Sequence, residues 1–130
     1  MAYEADKRVA ELAEDKIAWL TTITPKGRPA PRPVWFVLDG DDILLFSQPG
    51  TAKLRHITLN PEVSFHFNSG RGIVVINGRA HTEDGRASEA PGYLEKYAEL
   101  IPRIGFPKPE LFDETYSVRI RVVPERTWGH

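Results

Sequence analysis

The sequence contains no cysteine, and this absence excludes several kinds of chemistry. Disulfides, thiolate metal ligands and a cysteine nucleophile are all ruled out. A chain without cysteine suits the reducing cytoplasm, where we expect this protein to remain. The first residues lack the apolar core of a signal peptide, and no apolar run approaches the length that crosses a membrane.

An excess of charge of one sign is also missing. The 130 residues include 17 Lys and Arg against 18 Asp and Glu, which gives a formal net charge of −1 at pH 7. Proteins dedicated to nucleic acids usually carry a basic excess, so we expect no nucleic-acid partner. Apolar residues make up 41% of the chain, which is enough for the core of one domain over residues 1–130.

Familiar catalytic motifs are absent as well. The chain has no Gly-x-Ser-x-Gly, no Gly-x-Gly-x-x-Gly and no convincing Ser-His-Asp order. The acidic run Asp39-Gly40-Asp41-Asp42 is better explained as a turn than as a metal site, and His66 and His81 are expected to be ordinary strand residues. We therefore predict no metal and no catalytic side-chain constellation, as in a redox protein whose bound cofactor carries the chemistry.

The spacing of apolar residues predicts three helices and about six strands. We expect helices over 3–15, 51–59 and 91–101, and strands over 17–24, 29–38, 43–47, 62–68, 73–83 and 116–122. Short turns join most successive strands, so the sheet should be largely antiparallel. The fold class is therefore mainly β within the α+β class, and we expect six strands to close into a small barrel with helices at its ends.

Proline and glycine set further expectations within these elements. Pro29, Pro31 and Pro33 lack N–H donors, so the first half of the second strand must be an edge or lie where the ladder is broken. Gly78 predicts a bulge or the close approach of another backbone. Pro124 is expected to end the last strand, and residues 102–113 are expected to form an ordered loop.

A helix start at Thr51 carries the clearest functional signal. Thr51 follows a Pro-Gly turn and is a good N-cap, because its hydroxyl can accept from free backbone N–H groups. Lys53 and Arg55 then place two cations in the first turn. Cations do not stabilise a helix start, whereas anions do. A solvated basic turn and a phosphate site are both consistent with this pattern.

The order of these pieces resembles that of the split β-barrel superfamily of pyridoxamine 5′-phosphate oxidase, and within it the small actinobacterial enzymes that use the deazaflavin coenzyme F420. The resemblance spans about residues 10–124. It depends on four pieces in order: Ala18-Trp19-Leu20-Thr21-Thr22 with Lys26-Gly27-Arg28-Pro29; Pro31-Arg32-Pro33-Val34-Trp35-Phe36; Gly50-Thr51-Ala52-Lys53-Leu54-Arg55-His56-Ile57 with Asn60-Pro61-Glu62-Val63-Ser64; and Asn77-Gly78-Arg79-Ala80.

The resemblance implies a cofactor site at the subunit interface of a homodimer. The segment from Arg32 to Phe36 would line the flavin or deazaflavin ring, and the segment ending at Gln48 would lie beside it. Lys53 would hold the cofactor phosphate, with help from Thr51 and Arg55. The implied cofactor-binding residues are Arg32, Pro33, Val34, Trp35, Ser47, Gln48, Thr51, Ala52, Lys53 and Arg55.

The implied activity is an F420H2-dependent reductase that passes a hydride to an electron-poor organic substrate. The flavin oxidases often carry Ser-Arg-Lys where this chain has Thr51-Ala52-Lys53, and the Lys-x-Arg spacing looks more like the F420 branch. FMN stays an alternative cofactor, and a non-catalytic module that binds flavin or haem is a second alternative. Residues 102–113 and the tail over 126–130 are expected to form the rim of the substrate pocket.

Overall fold

A computed structural model of the chain describes residue 9 and residues 13–67 and 74–129. The helix that the sequence predicts over residues 3–15 lies largely outside the described residues. The strands are β1 (Ala18–Ile23), β2 (Pro29–Val34), β3 (Val37–Asp39), β4 (Asp42–Ser47), β5 (Glu62–Phe67), β6 (Val74–Glu83) and β7 (Val118–Gly129). The helices are α1 (Ala52–Leu59), α2 (Tyr93–Lys96) and α3 (Pro109–Thr115), with single 3₁₀ turns at Ala87–Glu89 and Pro102–Ile104.

The seven strands form one antiparallel sheet in the order β2-β1-β5-β6-β7-β4-β3. The prediction of an antiparallel sheet in an α+β fold is confirmed. The prediction of six strands in a closed barrel is wrong, because the sheet has seven strands and stays open. β2 and β3 are its two edges, although only two residues separate them in the chain.

The extra strand arises where the predicted strand over 29–38 is interrupted at Trp35 and Phe36. The backbone N–H of Phe36 donates to the Tyr97 hydroxyl at 2.8 Å, and its carbonyl accepts from Lys96 Nζ at 2.8 Å. Side chains therefore satisfy the backbone groups that a continuous strand would pair with a neighbouring strand. The chain crosses from one edge of the sheet to the other without a ladder.

β2 is an edge strand, as its prolines predict. The bulge at Gly78 is also confirmed, since the β6–β7 register shifts between Asn77 and Gly78. A Cβ on Gly78 would lie 2.3 Å from the Val123 carbonyl oxygen, so only glycine fits this approach. Pro124 does not end the last strand: it lies opposite Gly78 at the irregularity, where a missing donor is tolerated, and β7 continues to Gly129.

The segment between β6 and β7 is more helical at its end than the sequence indicates. The predicted helix over 91–101 is a short α2 followed by turns, although it buries Tyr93, Tyr97 and Ile101 as expected. The predicted loop over 102–113 is wrong, because a 3₁₀ turn and α3 fill it. Pro109 occupies the start of α3, where its missing N–H costs nothing.

Two groups of buried side chains hold the fold together. The inner core lies between one face of the sheet and α1, and it includes Leu20, Phe36, Phe65, Ile120 and Val122. The aromatic cluster lies on the other side of β4, where the segment after β6 packs; its buried members are Val37, Leu44, Phe46, Ala87, Ala90, Tyr93, Tyr97, Ile101 and Phe112. Among the described residues, no helix is long and apolar enough to cross a membrane.

Candidate functional site

A cleft of about 340 Å³ opens beside the break between β2 and β3. It brings together residues from β2, β4, α1 and the segment that precedes β7. Its lining consists of Ile17, Pro33, Val34, Trp35, Leu45, Phe46, Lys53, Tyr93, Ile104, Phe112 and Tyr116. Ten of these eleven residues are apolar or aromatic, and the remaining one is a lysine.

Trp35 forms one wall of the cleft because the strand break turns it toward the aromatic cluster. Its ring stacks on Tyr97, with centroids 4.4 Å apart and planes 5° apart, and it lies 5.9 Å from Phe112. Pro33 and Val34 precede it on the same wall. Rings packed in this way give a rigid apolar surface on which a planar group can lie.

Two hydroxyl groups lie close to Lys53, where β4 leads into α1. The buried Ser47 hydroxyl donates to the Gln48 carbonyl at 2.8 Å and lies 2.9 Å from the Thr51 hydroxyl. Lys53 Nζ donates to the same Ser47 oxygen at 3.4 Å. Two hydroxyls and an ammonium group thus converge within one turn of the chain.

A second cation lies close to Lys53. Burial lowers the pKa of the Lys53 ammonium group, and the positive charge of Arg32 lowers it further. Arg32 Nε is fully buried and has no hydrogen-bond partner within the described ranges. No carboxylate among those residues forms an ion pair with either cation, and the first turn of α1 contains no acid. A half-buried ammonium group beside a guanidinium group with a buried Nε, and no carboxylate paired with either among the described residues, form the electrostatic arrangement of an anion site.

The remaining predicted site residues lie at this turn but not all of them face the cleft. Thr51 occupies the N-cap position, yet its side chain makes no cap bond, because its hydroxyl pairs with Ser47 instead. Arg55 is exposed and donates to the Gly50 carbonyl at 2.7 Å, so it braces the Pro-Gly turn. Gln48 is exposed and Ala52 is half-buried at the helix start.

No sequence motif predicts the other aromatic residues that line the cleft with Trp35. Tyr93, Phe112 and Tyr116 reach the cleft from three different places in the chain. Of the segment predicted to form the substrate rim, Ile104 and Phe112 line this cleft; their contact with a substrate stays a prediction. Residues 126–129 of the predicted tail pair with β6 and do not line the cleft, and residue 130 lies outside the described residues.

The histidines and the acidic turn have partners of other kinds. His56 Nδ1 lies 2.8 Å from the buried Thr22 hydroxyl, and the His66 ring stacks near Trp19. Asp39 and Asp42 each accept from the Arg121 guanidinium at 3.0 Å. Within the part of the chain that the structure describes, no three His, Asp or Glu side chains gather as metal ligands would.

A larger cleft, of about 810 Å³, lies elsewhere and contains none of the predicted site residues. Polar and charged side chains dominate its lining, which runs from Thr82 to Arg86 and includes Asp113, Glu114, Ser117 and Val118. The smaller cleft is the better candidate, since an apolar pocket with a few convergent polar groups is typical of cofactor sites.

Comparison with solved structures supports a split-barrel-like fold. A protein of Listeria innocua, provisionally named a pyridoxamine 5′-phosphate oxidase, is 25% identical, with a TM-score of 0.65 and 97% of each chain covered. An F420 reductase is 21% identical, with a TM-score of 0.69 over 91% of this chain and 94% of its own. The haem storage protein HutZ of Vibrio cholerae is 16% identical, with a TM-score of 0.64 over 95% of this chain and 93% of its own.

No curated protein matches the sequence. The family model described as pyridoxamine 5′-phosphate oxidase, in contrast, matches residues 5–129, which is nearly the whole chain. Members of this family typically bind a flavin, and the wider superfamily includes oxidoreductases as well as haem-binding proteins. The chain therefore belongs to the pyridoxamine 5′-phosphate oxidase family.

Proposed function

We propose that the protein is an F420H2-dependent oxidoreductase that transfers a hydride to an electron-poor small organic substrate in the cleft beside Trp35. The observation that carries this proposal is the junction of an apolar, aromatic cleft with the Arg32 and Lys53 cations. A deazaflavin cofactor has a planar ring and a phosphate, and the two parts of this site suit them.

The phosphate would bind at the start of α1. The Ser47 and Thr51 hydroxyls and Lys53 Nζ converge there, and the buried Arg32 Nε still lacks an acceptor among the described residues. A phosphate would supply that acceptor and would relieve the repulsion between the two cations. The residues present therefore fit the group.

The ring would lie against Pro33, Val34 and Trp35. When bound, the reduced deazaflavin supplies a hydride, which is chemistry that side chains cannot provide. The protein binds the phosphate, orients the ring against a rigid wall and keeps water from the apolar cleft. No side chain acts as a placed proton donor in this proposal, so the proton comes from solvent.

The choice of F420 over FMN is supported by the Lys53-Leu54-Arg55 spacing and by likeness to an F420 reductase. Arg55 would act indirectly, since its guanidinium group holds the Gly50 carbonyl and so fixes the turn that precedes Lys53. FMN is the alternative cofactor, favoured by the family itself. A yellow protein on purification, with flavin absorbance, would favour FMN.

Fluorescence titration with F420 tests the proposal. We expect the purified protein to bind F420, and Lys53→Met to weaken binding about 10- to 100-fold, since a hydrogen bond to a charged group contributes ~1.5–3 kcal/mol. Lys26→Met is the matched control, because Lys26 is exposed in the turn between β1 and β2 and should leave affinity unchanged. Absence of F420 binding, or equal affinity in the two variants, would refute the proposal.

A non-catalytic binding protein is the second candidate, favoured by the likeness to a haem storage protein. Such a protein would bind its cofactor without turnover. Steady-state assays with F420H2 and a panel of quinones, enones and nitro compounds separate the two functions. Tight cofactor binding with no oxidation across the whole panel would favour storage or sequestration.

We also propose that the protein is a homodimer. Support comes from a mainly aromatic row on one face of the sheet, where Trp19, His66, Val75 and Trp128 are successive partners across four strands. Trp128 is 40% exposed there. Light scattering should give a dimer that Trp128→Ser weakens, whereas Leu59→Ser on α1 should not. A monomeric wild-type protein at micromolar concentration would contradict this proposal.

A further inference from the structure

The fully buried hydroxyl of Thr22 has one hydrogen-bond partner among the described residues, and that partner is a histidine. Thr22 lies on β1, and its Oγ1 is 2.8 Å from Nδ1 of His56 on α1. A buried hydroxyl without a partner is costly, so the fold depends on this contact. The contact also joins the sheet to the helix whose first turn forms the proposed phosphate site.

The other polar side chains in the body of α1 make no such connection to the sheet. Thr58 donates to the Leu54 carbonyl at 2.8 Å, within the helix itself. Arg55 donates to the Gly50 carbonyl at 2.7 Å, in the turn that precedes the helix. Apart from the lysine of the phosphate site, His56 is therefore the one residue of α1 whose side chain forms a hydrogen bond with a strand in the described parts of the chain.

Apolar contacts hold α1 at few points. Ile57 is the one buried residue of this fully described helix, and Leu54 is partly buried against the inner core. Leu59 is 69% exposed. Apolar burial has no preferred direction, whereas a hydrogen bond weakens steeply when its angle changes. The bond from His56 to Thr22 therefore restricts rotation of the helix about its own axis more than the apolar contacts do.

The geometry of a helix links this bond to Lys53. His56 follows Lys53 by three residues, so the two side chains lie on one face of α1, about 4.5 Å apart along the axis. A rotation of about 20° would move a group about 6 Å from the axis by about 2 Å. Lys53 Nζ lies 3.4 Å from Ser47 Oγ, so a movement of that size would separate the ammonium group from the hydroxyls.

We propose that His56 is a positioning residue for the phosphate site: its hydrogen bond to Thr22 fixes the rotation of α1 and so holds Lys53 beside Ser47. This inference rests on the proposed function and extends it to a residue that forms no bond with the cofactor. His56 acts through Lys53. Because the flavin or deazaflavin ring binds at a different part of the cleft, only the contribution of the phosphate to affinity should depend on His56.

Two variants remove the bond from either side while nearly keeping side-chain size. In His56→Phe and in Thr22→Val, F420 affinity should fall about 10-fold, the lower end of what loss of a hydrogen bond to a charged group costs, since Lys53 is present but displaced. Affinity for deazariboflavin, which lacks the phosphate, should not change. FMN and riboflavin, which differ by the phosphate alone, form a second pair of ligands. Fluorescence titration measures all four.

A control and a rescue accompany these variants. Thr58→Val also removes a hydroxyl group from α1, but the lost bond stays within the helix, so the affinity for every ligand should be unchanged. His56→Asn keeps an amide oxygen close to the position of Nδ1, where it can accept from the Thr22 hydroxyl. This variant should recover most of the F420 affinity that His56→Phe loses.

The double variant separates positioning from a purely structural role. His56→Phe leaves the buried Thr22 hydroxyl without a partner, so the midpoint of urea unfolding should fall, and adding Thr22→Val should restore it. The F420 affinity should stay low in the double variant, at the level of one single variant and not at the product of both losses, because the same bond is missing. Recovery of affinity together with stability would overturn the proposal.

The ligand pairs supply the remaining outcomes. Unchanged affinities in His56→Phe, or equal losses for phosphate-bearing and phosphate-free ligands, would also overturn the proposal. Failure of the proposed function gives a different result: if FMN binds and F420 does not, the F420 assignment is refuted, and the FMN and riboflavin pair decides the role of His56. If neither F420 nor FMN binds, both proposals are refuted.

Discussion

At the scale of single residues, Arg32 and Lys53 are the two side chains that favour an anion in the site. Their positive charges repel each other, and a bound anion would offset this repulsion. Burial and the Arg32 charge both favour the neutral form of Lys53. Binding of a phosphate would reverse this preference and stabilise the ammonium form. Protonation of Lys53 and cofactor binding are therefore linked.

This linkage predicts the pH dependence of cofactor affinity. In the protein without cofactor, the pKa of Lys53 lies below its ordinary value of 10.5. The affinity for F420 should therefore be highest at pH values below this lowered pKa, and it should fall as the pH rises through it. Arg32→Gln should weaken binding at neutral pH but move the fall to higher pH, since a positive neighbour is removed. Fluorescence titrations at several pH values measure both effects, and a fall at the same pH in both proteins would contradict the linkage.

Single residues were predictable where a local pattern decided their role. Lys53 lies just after the predicted helix start, and Trp35 directly follows the predicted edge strand; both line the cleft. The direction of Arg55 was not predictable, since its bond to the Gly50 carbonyl depends on side-chain geometry within the turn. Tyr93 and Tyr116 were missed as site residues because tertiary packing, and no sequence motif, brings them to Trp35.

At the scale of elements, the break between β2 and β3 creates the cleft. Lys96 and Tyr97 lie at the end of α2, and both bind the backbone of Phe36. Lys96 Nζ also lies 3.6 Å from the centroid of the Phe36 ring, and burial is the main cause that lowers the pKa of Lys96 to about 8. A short helix thus holds the point at which the chain leaves one edge of the sheet for the other.

Removal of the Tyr97 hydroxyl tests the importance of this contact. Tyr97→Phe leaves the buried N–H of Phe36 without its acceptor, so it should lower the free energy of unfolding by ~1–3 kcal/mol. Tyr93→Phe is the matched control, because its hydroxyl has no partner among the described residues and its loss should cost less than about 0.5 kcal/mol. Urea unfolding measures both, and equal destabilisation would show that the Phe36 contact is unimportant.

Most strands were predictable because alternation and turn residues specify them locally. The exceptions depend on distant partners. Apolar alternation continues through Trp35 and Phe36, so the sequence alone gives no reason to divide that strand. Pro124 was expected to end the last strand, but it lies opposite Gly78 at the bulge, where its missing N–H is tolerated. Prolines and a glycine concealed α3, whose burial of Phe112 against the aromatic cluster compensates for weak local propensity.

For the whole molecule, closure of the barrel was the least predictable property. Strand count and apolar faces favour closure, but whether the two edge strands pair depends on what satisfies the backbone between them. Here the Phe36 backbone groups are satisfied by side chains, and three prolines remove donors from the free edge of β2. The open seam is therefore stable, and it leaves room for the cleft.

A network of charges joins β6 and β7 to the hairpin of β3 and β4. Arg121 on β7 donates to Glu83 on β6 at 2.7 Å, and to Asp39 and Asp42 at 3.0 Å; Arg119 contacts Glu83 at 3.3 Å. The hydrogen bond from Arg121 is the largest cause that lowers the pKa of Glu83 from 4.5 to about 2. The part of the network that Glu83 supplies stabilises the fold only while Glu83 is ionised.

Acid should therefore remove a defined part of the stability. A carboxylate whose pKa is lowered in the folded state stabilises the protein fully above pH 4.5, and the contribution is lost as the pH falls toward 2. Glu83 is 25% exposed, so solvent screening limits the contribution to ~1–2 kcal/mol. Glu83→Gln should cost that amount at neutral pH, and its difference from wild type should shrink as the pH falls below about 4.5. Urea unfolding across this range measures it, with exposed Glu62→Gln as the control. A cost that does not change with pH would mean that packing of the Glu83 side chain, and not its charge, stabilises these strands.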